Sequence, residues 1–177
     1  MEKKNTSILY NGLVWGLIIG FAGIIYSVIL YMLDQNLNQN MSYLGILITI
    51  IVLILGVRSF RDNVRGGILP FGPAFQFGFV VILVSTVIGI IYAYLLWTVI
   101  DPDILGKMKD MQMEKMLEQG IPEEALDQAM AISGKFMTPL MMSIIGLFTG
   151  VLMGTIVALI IAAIFKKNEP EDQVVAE

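Results

Sequence analysis

"LYNGLVWGLIIGFAGIIYSVILYML", residues 9–33, is the first of several long stretches of this chain that contain no charged side chain. An α-helix rises about 1.5 Å per residue, so about 20 apolar residues cross a hydrocarbon core that is about 30 Å thick. This stretch is therefore long enough to span a bilayer. It also exceeds the apolar core of a signal peptide, about 7–15 residues, and ends without a small-residue cleavage site. We expect an uncleaved span.

Three further apolar tracts predict an all-α, polytopic membrane protein. Of its 177 residues, 56% are hydrophobic and 15% are charged, and the mean hydropathy is +0.78, outside the usual range of water-soluble domains. The second tract is the shortest and reaches a spanning length only if Arg58 extends its guanidinium toward the bilayer surface; a re-entrant segment is the alternative. We interpret residues 1–177 as one domain with spans at 9–33, 41–58, 74–100 and 139–165.

Charged residues predict the orientation of these spans. The segment 101–138 holds four basic and eight acidic residues, so it is net negative. The other seven basic residues lie near the N-terminus, after the second span and after the fourth: Lys3, Lys4, Arg58, Arg61, Arg65, Lys166 and Lys167. Because Lys and Arg concentrate in cytoplasmic segments, we expect both termini, including the tail 166–177, in the cytoplasm and residues 101–138 outside.

The outward segment 101–138 has the turn signals of a helical hairpin. Asp101 is expected to be the N-cap of a first helix with Pro102 at its first position, and Gly120 suits the end of that helix. Pro122 is expected to begin a second helix, and Pro139 to begin the fourth span. We therefore predict an extracytoplasmic helical hairpin between the third and fourth spans.

The second helix of this hairpin is strongly amphipathic. A broad apolar face opposes an acidic one, so the apolar face must lie on the membrane surface, on the first helix or on a partner protein. The acidic face and the scarcity of Lys and Arg weaken the membrane-surface alternative. The candidate partner-facing residues are Leu126, Ala129, Met130, Ile132 and Phe136.

Four methionines in the first helix raise the question of a soft metal ion. Thioethers select Cu(I), so Met108, Met111, Met113 and Met116 are candidate ligands. On a helix, however, Met113 points nearly opposite to Met108 and Met111, so the four sulfur atoms do not converge on one ion without unwinding. Flexible apolar contact with a membrane or a partner is the stronger interpretation. We predict no metal site.

The chain lacks the residues on which most catalytic and cofactor sites depend. It has no Cys and no His, which excludes disulfides, thiol and imidazole chemistry and the common zinc sites. The acidic pairs Asp101 with Asp103 and Glu123 with Asp127 are explained as helix-start residues that complement the helix dipole. A net charge of −4 argues against a nucleic-acid partner. We expect no enzyme, no catalytic residue and no cofactor.

Two rows of glycines predict close helix packing. Small residues that recur every four positions share one helix face and let two backbones approach. Packing within the monomer, such as span one against span four, and a homo-oligomer interface are the two interpretations. The rows are Gly12, Gly16 and Gly20 in span one, and Gly146, Gly150 and Gly154 in span four.

A basic segment follows the second span. Arg58, Arg61 and Arg65 recur at spacings of three and four, so they are expected to share a helix face and to contact anionic lipid headgroups. The glycines and prolines of residues 66–73 are then expected to interrupt regular structure until the third span begins.

The first and third spans share a local pattern. The first contains "GIIYSVILYMLD" from Gly23, and the third contains "GIIYAYLLWTVID" from Gly89. The returning spans are followed by "FRDN" at Phe60 and "FKKN" at Phe165. Duplication of a two-helix hairpin and chance similarity among apolar helices both explain the pattern.

The chain resembles a bacterial membrane family, domain-of-unknown-function family 4199. The likeness covers nearly the whole sequence and is carried by "GLVWGLIIGFAGIIYSVILYML", "FRDNVRGGILPFGPAFQFGF", "IDPD", "MLEQGIPEEALDQAM" and "IAAIFKKNEP". The resemblance implies a four-helix protein of the bacterial inner membrane. It brings no assigned activity, so no site residue is carried over.

These observations leave three functional hypotheses. The leading one is a non-enzymatic assembly, scaffold or accessory protein whose outward hairpin docks a membrane or periplasmic protein or a second copy. An oligomeric channel or small-solute transporter is the alternative, although none of the four apolar tracts holds a mid-membrane ionisable residue. A Met-rich Cu(I)-handling protein is the third. The polar residues inside the spans can bond to backbone carbonyls: Ser27, Thr49, Ser85, Thr86, Ser143, Thr149 and Thr155.

Overall fold

The computed structural model describes residues 7–168, and its regular elements are helices apart from one isolated β-bridge. Lys3, Lys4 and residues 169–177 of the tail lie outside the described range. The helices are α1 (Ile8–Met32), α2 (Gln39–Ser59), α3 (Phe71–Leu95), α4 (Ile104–Glu118), α5 (Glu123–Phe136) and α6 (Pro139–Phe165). Short π-helical segments, Phe60–Val64 and Leu96–Ile100, continue α2 and α3.

Four helical stretches are long and apolar enough to cross a membrane, which confirms an all-helical membrane protein. They are Ile8–Met32, Gln39–Val64, Phe71–Ile100 and Pro139–Phe165. The second tract, the shortest in the sequence, lies in a helical stretch of 26 residues because its π-helical segment extends it. At 1.5 Å per residue, a helix of this length exceeds the thickness of the hydrocarbon core, which is about 30 Å.

The third span begins earlier than predicted. The glycines and prolines of residues 66–73 were expected to keep the chain irregular up to residue 74, but α3 begins at Phe71 and contains Gly72 and Pro73 in its first turn. Proline is tolerated there because the first backbone N–H groups of a helix have no intrahelical acceptor. The break itself falls at Gly66 and Gly67, whose φ angles are +66° and +90°.

The chain forms two compact units. The first comprises residues 1–89 and 150–177, and the second comprises residues 90–149. The core of the first unit gathers where α2 ends and α3 begins: the rings of Phe60 and Phe77 stack with centroids 4.6 Å apart. Leu69, which is fully buried, belongs to the same cluster, together with Ala158 and Ala162 of α6.

Both glycine rows contact α3. In the first unit, β-carbons built at Gly12, Gly16 and Gly20 of α1 would meet Val80, Val84 and Ile88, and those at Gly150 and Gly154 of α6 would meet Thr86 and Ile82. In the second unit, a β-carbon at Gly146 would lie 2.9 Å from Cδ1 of Ile90. The glycines thus let larger α3 side chains approach two neighbouring helix backbones.

Gly16→Ala should destabilise the protein. The added methyl group would lie 2.6 Å from Cβ of Val84 and 3.0 Å from the backbone oxygen of Val81, which has little room to move. Overpacking of this kind costs about 1–3 kcal/mol, so we expect a lower unfolding midpoint in mild detergent, followed by tryptophan fluorescence. Gly89→Ala is the control, because no atom lies within 4 Å of a β-carbon there. Equal midpoints for the two variants would contradict the close packing of α1 on α3.

Candidate functional site

Two helices of the second unit, α4 and α5, lie where the sequence predicts a helical hairpin, and they contact each other. Helix α4 ends at Glu118, and Gly120 follows in the left-handed region with a φ of +75°. The Gly120 N–H donates to the Leu117 carbonyl over 2.9 Å. Pro122 then precedes α5. At the far end, the Thr138 hydroxyl accepts the N–H of Met141, and α6 begins at Pro139. The helix-end and helix-start signals at these residues are confirmed.

The beginning of α4 differs from the prediction. Asp101 was expected to be the N-cap, but the helix begins at Ile104 and Asp103 flanks it. The Asp101 carboxylate instead accepts the N–H of Asp103 over 3.2 Å and pairs with Lys107 over 3.0 Å. Asp101 therefore stabilises the turn before the helix. Its side chain accepts the backbone N–H two residues further on, in an Asx turn, instead of capping the first turn of the helix. Each carboxylate oxygen of Asp101 thus accepts a hydrogen bond from another part of the same chain.

The apolar face of α5 divides into buried and exposed parts. Leu126 is 5% exposed, and Ala129 and Met130 are half-buried. Ile132 and Phe136, by contrast, are 62% and 52% exposed. These two residues are four positions apart, so they share one side of the helix.

Helix α4 repeats this division. Ile104 and Leu105 are buried, whereas Met113 and Leu117, again four positions apart, are exposed. We call Met113, Leu117, Ile132 and Phe136 the exposed apolar residues of the hairpin. A large apolar side chain left in water is costly, so these residues are the candidates for a contact surface. The side chains of Glu123, Glu124 and Asp127 lie outside the described part of the hairpin.

The methionines have unequal surroundings. Met108, Met111 and Met116 are half-buried, while Met113 is exposed. Within the described residues, no three His, Cys, Asp or Glu side chains are grouped so that they could hold a metal ion.

Sequence reasoning missed a buried polar atom in α4. The side-chain oxygen of Gln112 is buried and has no hydrogen-bond partner among the described residues. A buried acceptor without a donor costs about 1–3 kcal/mol. The sequence gives no signal for it, since glutamine is an ordinary helix residue whose burial depends on how α4 meets its neighbours.

In the first unit, Arg61 connects the segment that follows α2 to the end of α6. Its guanidinium donates to both Asp62 carboxylate oxygens, over 2.7 and 3.1 Å, and to the carbonyl oxygen of Phe165, over 3.3 Å. Next to it, Leu69 and Lys167 exchange both backbone hydrogen bonds, over 2.9 and 2.8 Å. The end of α6 is thereby held against the segment that follows α2.

The other two arginines lie over aromatic rings. The Arg58 guanidinium carbon is 4.7 Å from the centroid of the Phe165 ring, and that of Arg65 is 5.5 Å from the centroid of Phe60. Both side chains are exposed, so they keep donors for a further anion, whereas Arg61 uses donors within the protein. The π-helical segment Phe60–Val64 lies between Arg58 and Arg65 and changes the helical period on which the shared-face expectation depended.

Comparison with known proteins gives one family match. A family model described as "Protein of unknown function (DUF4199)" matches residues 14–167. No curated protein and no solved structure matches the chain.

Gln112→Met should stabilise the hairpin. The substitution keeps most of the side-chain volume and removes the unpaired acceptor, so we expect a gain of about 1–3 kcal/mol. Hydrogen exchange of the α4 and α5 amides, followed by mass spectrometry, measures the change. Gln128→Met is the control, since Gln128 is exposed. Faster exchange in Gln112→Met would show that the amide has a partner in solution.

Arg61→Lys should loosen the contact between the segment that follows α2 and the end of α6. Lysine keeps the charge but cannot bond to both Asp62 oxygens and to the Phe165 carbonyl at once. We expect faster hydrogen exchange in residues 66–69 and 165–168. Arg65→Lys is the control, because a lysine can also lie over the Phe60 ring. If the two variants exchange alike, the Arg61 contacts do not hold the α6 end.

Proposed function

Because this chain belongs to the DUF4199 family, whose function is unknown, we propose a role from its structure: a non-enzymatic accessory or assembly protein of the membrane. In this proposal, the α4–α5 hairpin docks another protein, either a different chain or a second copy. The observation that carries it is the set of exposed apolar residues on a hairpin that has its own buried contacts.

The hairpin has the form of a docking element. Helices α4 and α5 contact each other, and Leu105 and Leu126 are buried, whereas the exposed apolar residues face away from buried contacts. Pairs such as Ile132 and Phe136, one helical turn apart, are the usual anchors when a helix lies in the groove of a partner. Aromatic and long aliphatic side chains contribute most of the affinity at such contacts.

A protein partner fits this surface better than the bilayer does. Helices that adsorb to lipid are rich in Lys and Arg, which attract anionic headgroups. Lys135 is the single basic residue of α5, which also contains Glu123, Glu124 and Asp127. Repulsion by anionic headgroups therefore opposes lipid adsorption of this helix.

The charge distribution supports placing the hairpin outside the cytoplasm. The segment 101–138 is acidic, whereas the segment after α2 and the end of α6 are basic. The positive-inside rule then gives cytoplasmic termini in a bacterial inner membrane and a partner that is periplasmic or membrane-bound.

The spans support a structural role more than a transport one. Four hydroxyl groups within them donate to carbonyls of their own helices, over 2.6–3.0 Å, which leaves their protons engaged within the helix: Thr49, Ser85, Ser143 and Thr155. Such bonds satisfy hydroxyls in an apolar medium without help from another helix.

The two exposed arginines supply an anchor in this proposal. Arg58 and Arg65 each have an aromatic ring on one side and are exposed, so phospholipid phosphates can be bound on the other. Each such contact is worth about 1 kcal/mol near an anionic surface. Arg61 contributes its charge to the same region, although its donors serve the protein.

Photocrosslinking tests the docking role. We expect a photoreactive residue at Leu117 or Phe136 to give one discrete protein adduct in membranes. The same residue at Lys115 should give none, since Lys115 is two positions from Leu117 and so lies nearly opposite it on α4. An adduct of twice the chain mass would identify the partner as a second copy.

Ile132→Gln with Phe136→Gln separates docking from folding. Both side chains are exposed, so the double variant should keep the hydrogen exchange of the hairpin and lose the adduct from Leu117. Leu126→Gln, at a buried position, should instead unfold the hairpin. Adducts to lipid alone, or equal adducts from Leu117 and Lys115, would overturn the proposal.

A further inference from the structure

A cleft of about 370 Å³ lies between α1 and α2 in the first unit. Its walls extend from Ile19 to Leu30 on α1 and from Ser42 to Val52 on α2. At 1.5 Å per residue, both walls are about 15 Å long. This is half of a hydrocarbon core of about 30 Å, which is the depth of one leaflet.

The cleft is built into the packing of α1. A β-carbon at Gly20 would lie 2.9 Å from Ile88, but one at Gly23 would have no atom within 4 Å. Gly23 therefore serves no close helix contact and leaves space on the cleft wall. On the opposite wall, a β-carbon at Gly45 would meet only the ring of Tyr26, at 3.1 Å.

Tyr26 fixes the spacing between the two walls. Its hydroxyl donates to the carbonyl oxygen of Met41 over 2.8 Å, so it connects α1 to the beginning of α2. A hydrogen bond between membrane helices adds stability, because neither group has water to bond to inside the bilayer. The two helices are thus joined near the connecting loop, while the space beside Gly23 stays open.

The polarity of the cleft changes along its length. Its deep end is lined by Ile19 and Val52, and its loop end by Asn36 and Ser42. None of the described residues that line it is charged. The side-chain amide of Asn36, which lines the cleft, can donate to an uncharged acceptor.

We propose that this cleft binds one acyl chain of a bilayer phospholipid, with the ester group of that chain at Asn36 and Ser42. Both walls belong to helices that can cross a membrane, and Gly23 and Ile46 on these walls are exposed, so in a bilayer the cleft is accessible to lipid. Its length matches one tail, and its uncharged polar end matches an ester. Lipid tails are as apolar as the walls, so the preference comes from packing and from the hydrogen bond to the ester.

A photoreactive lipid tests the site. The full-length chain is reconstituted in phosphatidylcholine vesicles that contain a small fraction of phosphatidylcholine with a diazirine in the middle of one acyl chain. After irradiation, mass spectrometry locates the attached lipid. We expect label concentrated within residues 19–30 and 42–52, above the level on the exposed sides of the other spans.

Gly23→Leu should abolish most of this label, because no atom lies within 4 Å of a β-carbon at Gly23 and the new side chain would extend into the cleft that Gly23 lines. Gly89→Leu is a matched control: Gly89 also begins a "GIIY" sequence and has no atom within 4 Å of a β-carbon, but it does not line the cleft. Ser27→Leu, one turn further along the same wall, should repeat the loss if Gly23→Leu does not fold.

Three results would overturn the proposal. One is label in Gly23→Leu and Ser27→Leu at the level of the unmodified chain. Another is label spread evenly over all four spans. The third is an unlabelled cleft in a chain whose Tyr26 region crosslinks to a second copy, since another protein would then fill the space.

Discussion

Close contact with α3 is the constraint on which the bundle of the first unit depends. Lipid tails are as apolar as leucine, so burying an apolar face gives membrane helices no gain over leaving it in lipid. Association must then come from short-range packing, which is strong only when backbones approach closely. The row Gly12, Gly16 and Gly20 on α1 provides this approach, because Val80, Val84 and Ile88 of α3 fill the space that three side chains would occupy.

The same constraint explains why one side of α1 is loose. Its glycine row faces α3, so the adjacent side, which faces α2, is held by other contacts. There the contact depends on single large side chains: a β-carbon at Gly56 would lie 3.0 Å from the ring of Trp15, and Tyr26 bonds to Met41. Trp15 and Tyr26 are about three helical turns apart on α1. The cleft begins between them, at Ile19, and continues past Tyr26 toward the loop. Helix α1 packs on α3 through a row of glycines but on α2 through separate aromatic side chains, so space remains beside those aromatic contacts.

The sequence predicts local features well and helix partners poorly. The spans, the helix end at Gly120 and the start of α6 at Pro139 follow from apolar length and from turn chemistry, which act within a few residues. The helix that packs against each glycine row does not follow from the sequence, since a glycine face shows that some helix approaches but not which one. The roles of Arg58 and Arg61 also depend on a distant residue, Phe165, which no spacing rule reveals.

The contact at Phe165 bears on the similarity between the two halves of the chain. "FRDN" and "FKKN" end the two returning spans, and the structure brings them together: Arg61 bonds to the Phe165 carbonyl, and Arg58 lies over its ring. Duplicated hairpins related by an axis between them would meet in this way. The connections differ, however, because α1 and α2 are joined by residues 33–38 whereas the third and fourth spans are joined by residues 101–138. If one hairpin gave rise to both, the α4–α5 hairpin is what the second acquired.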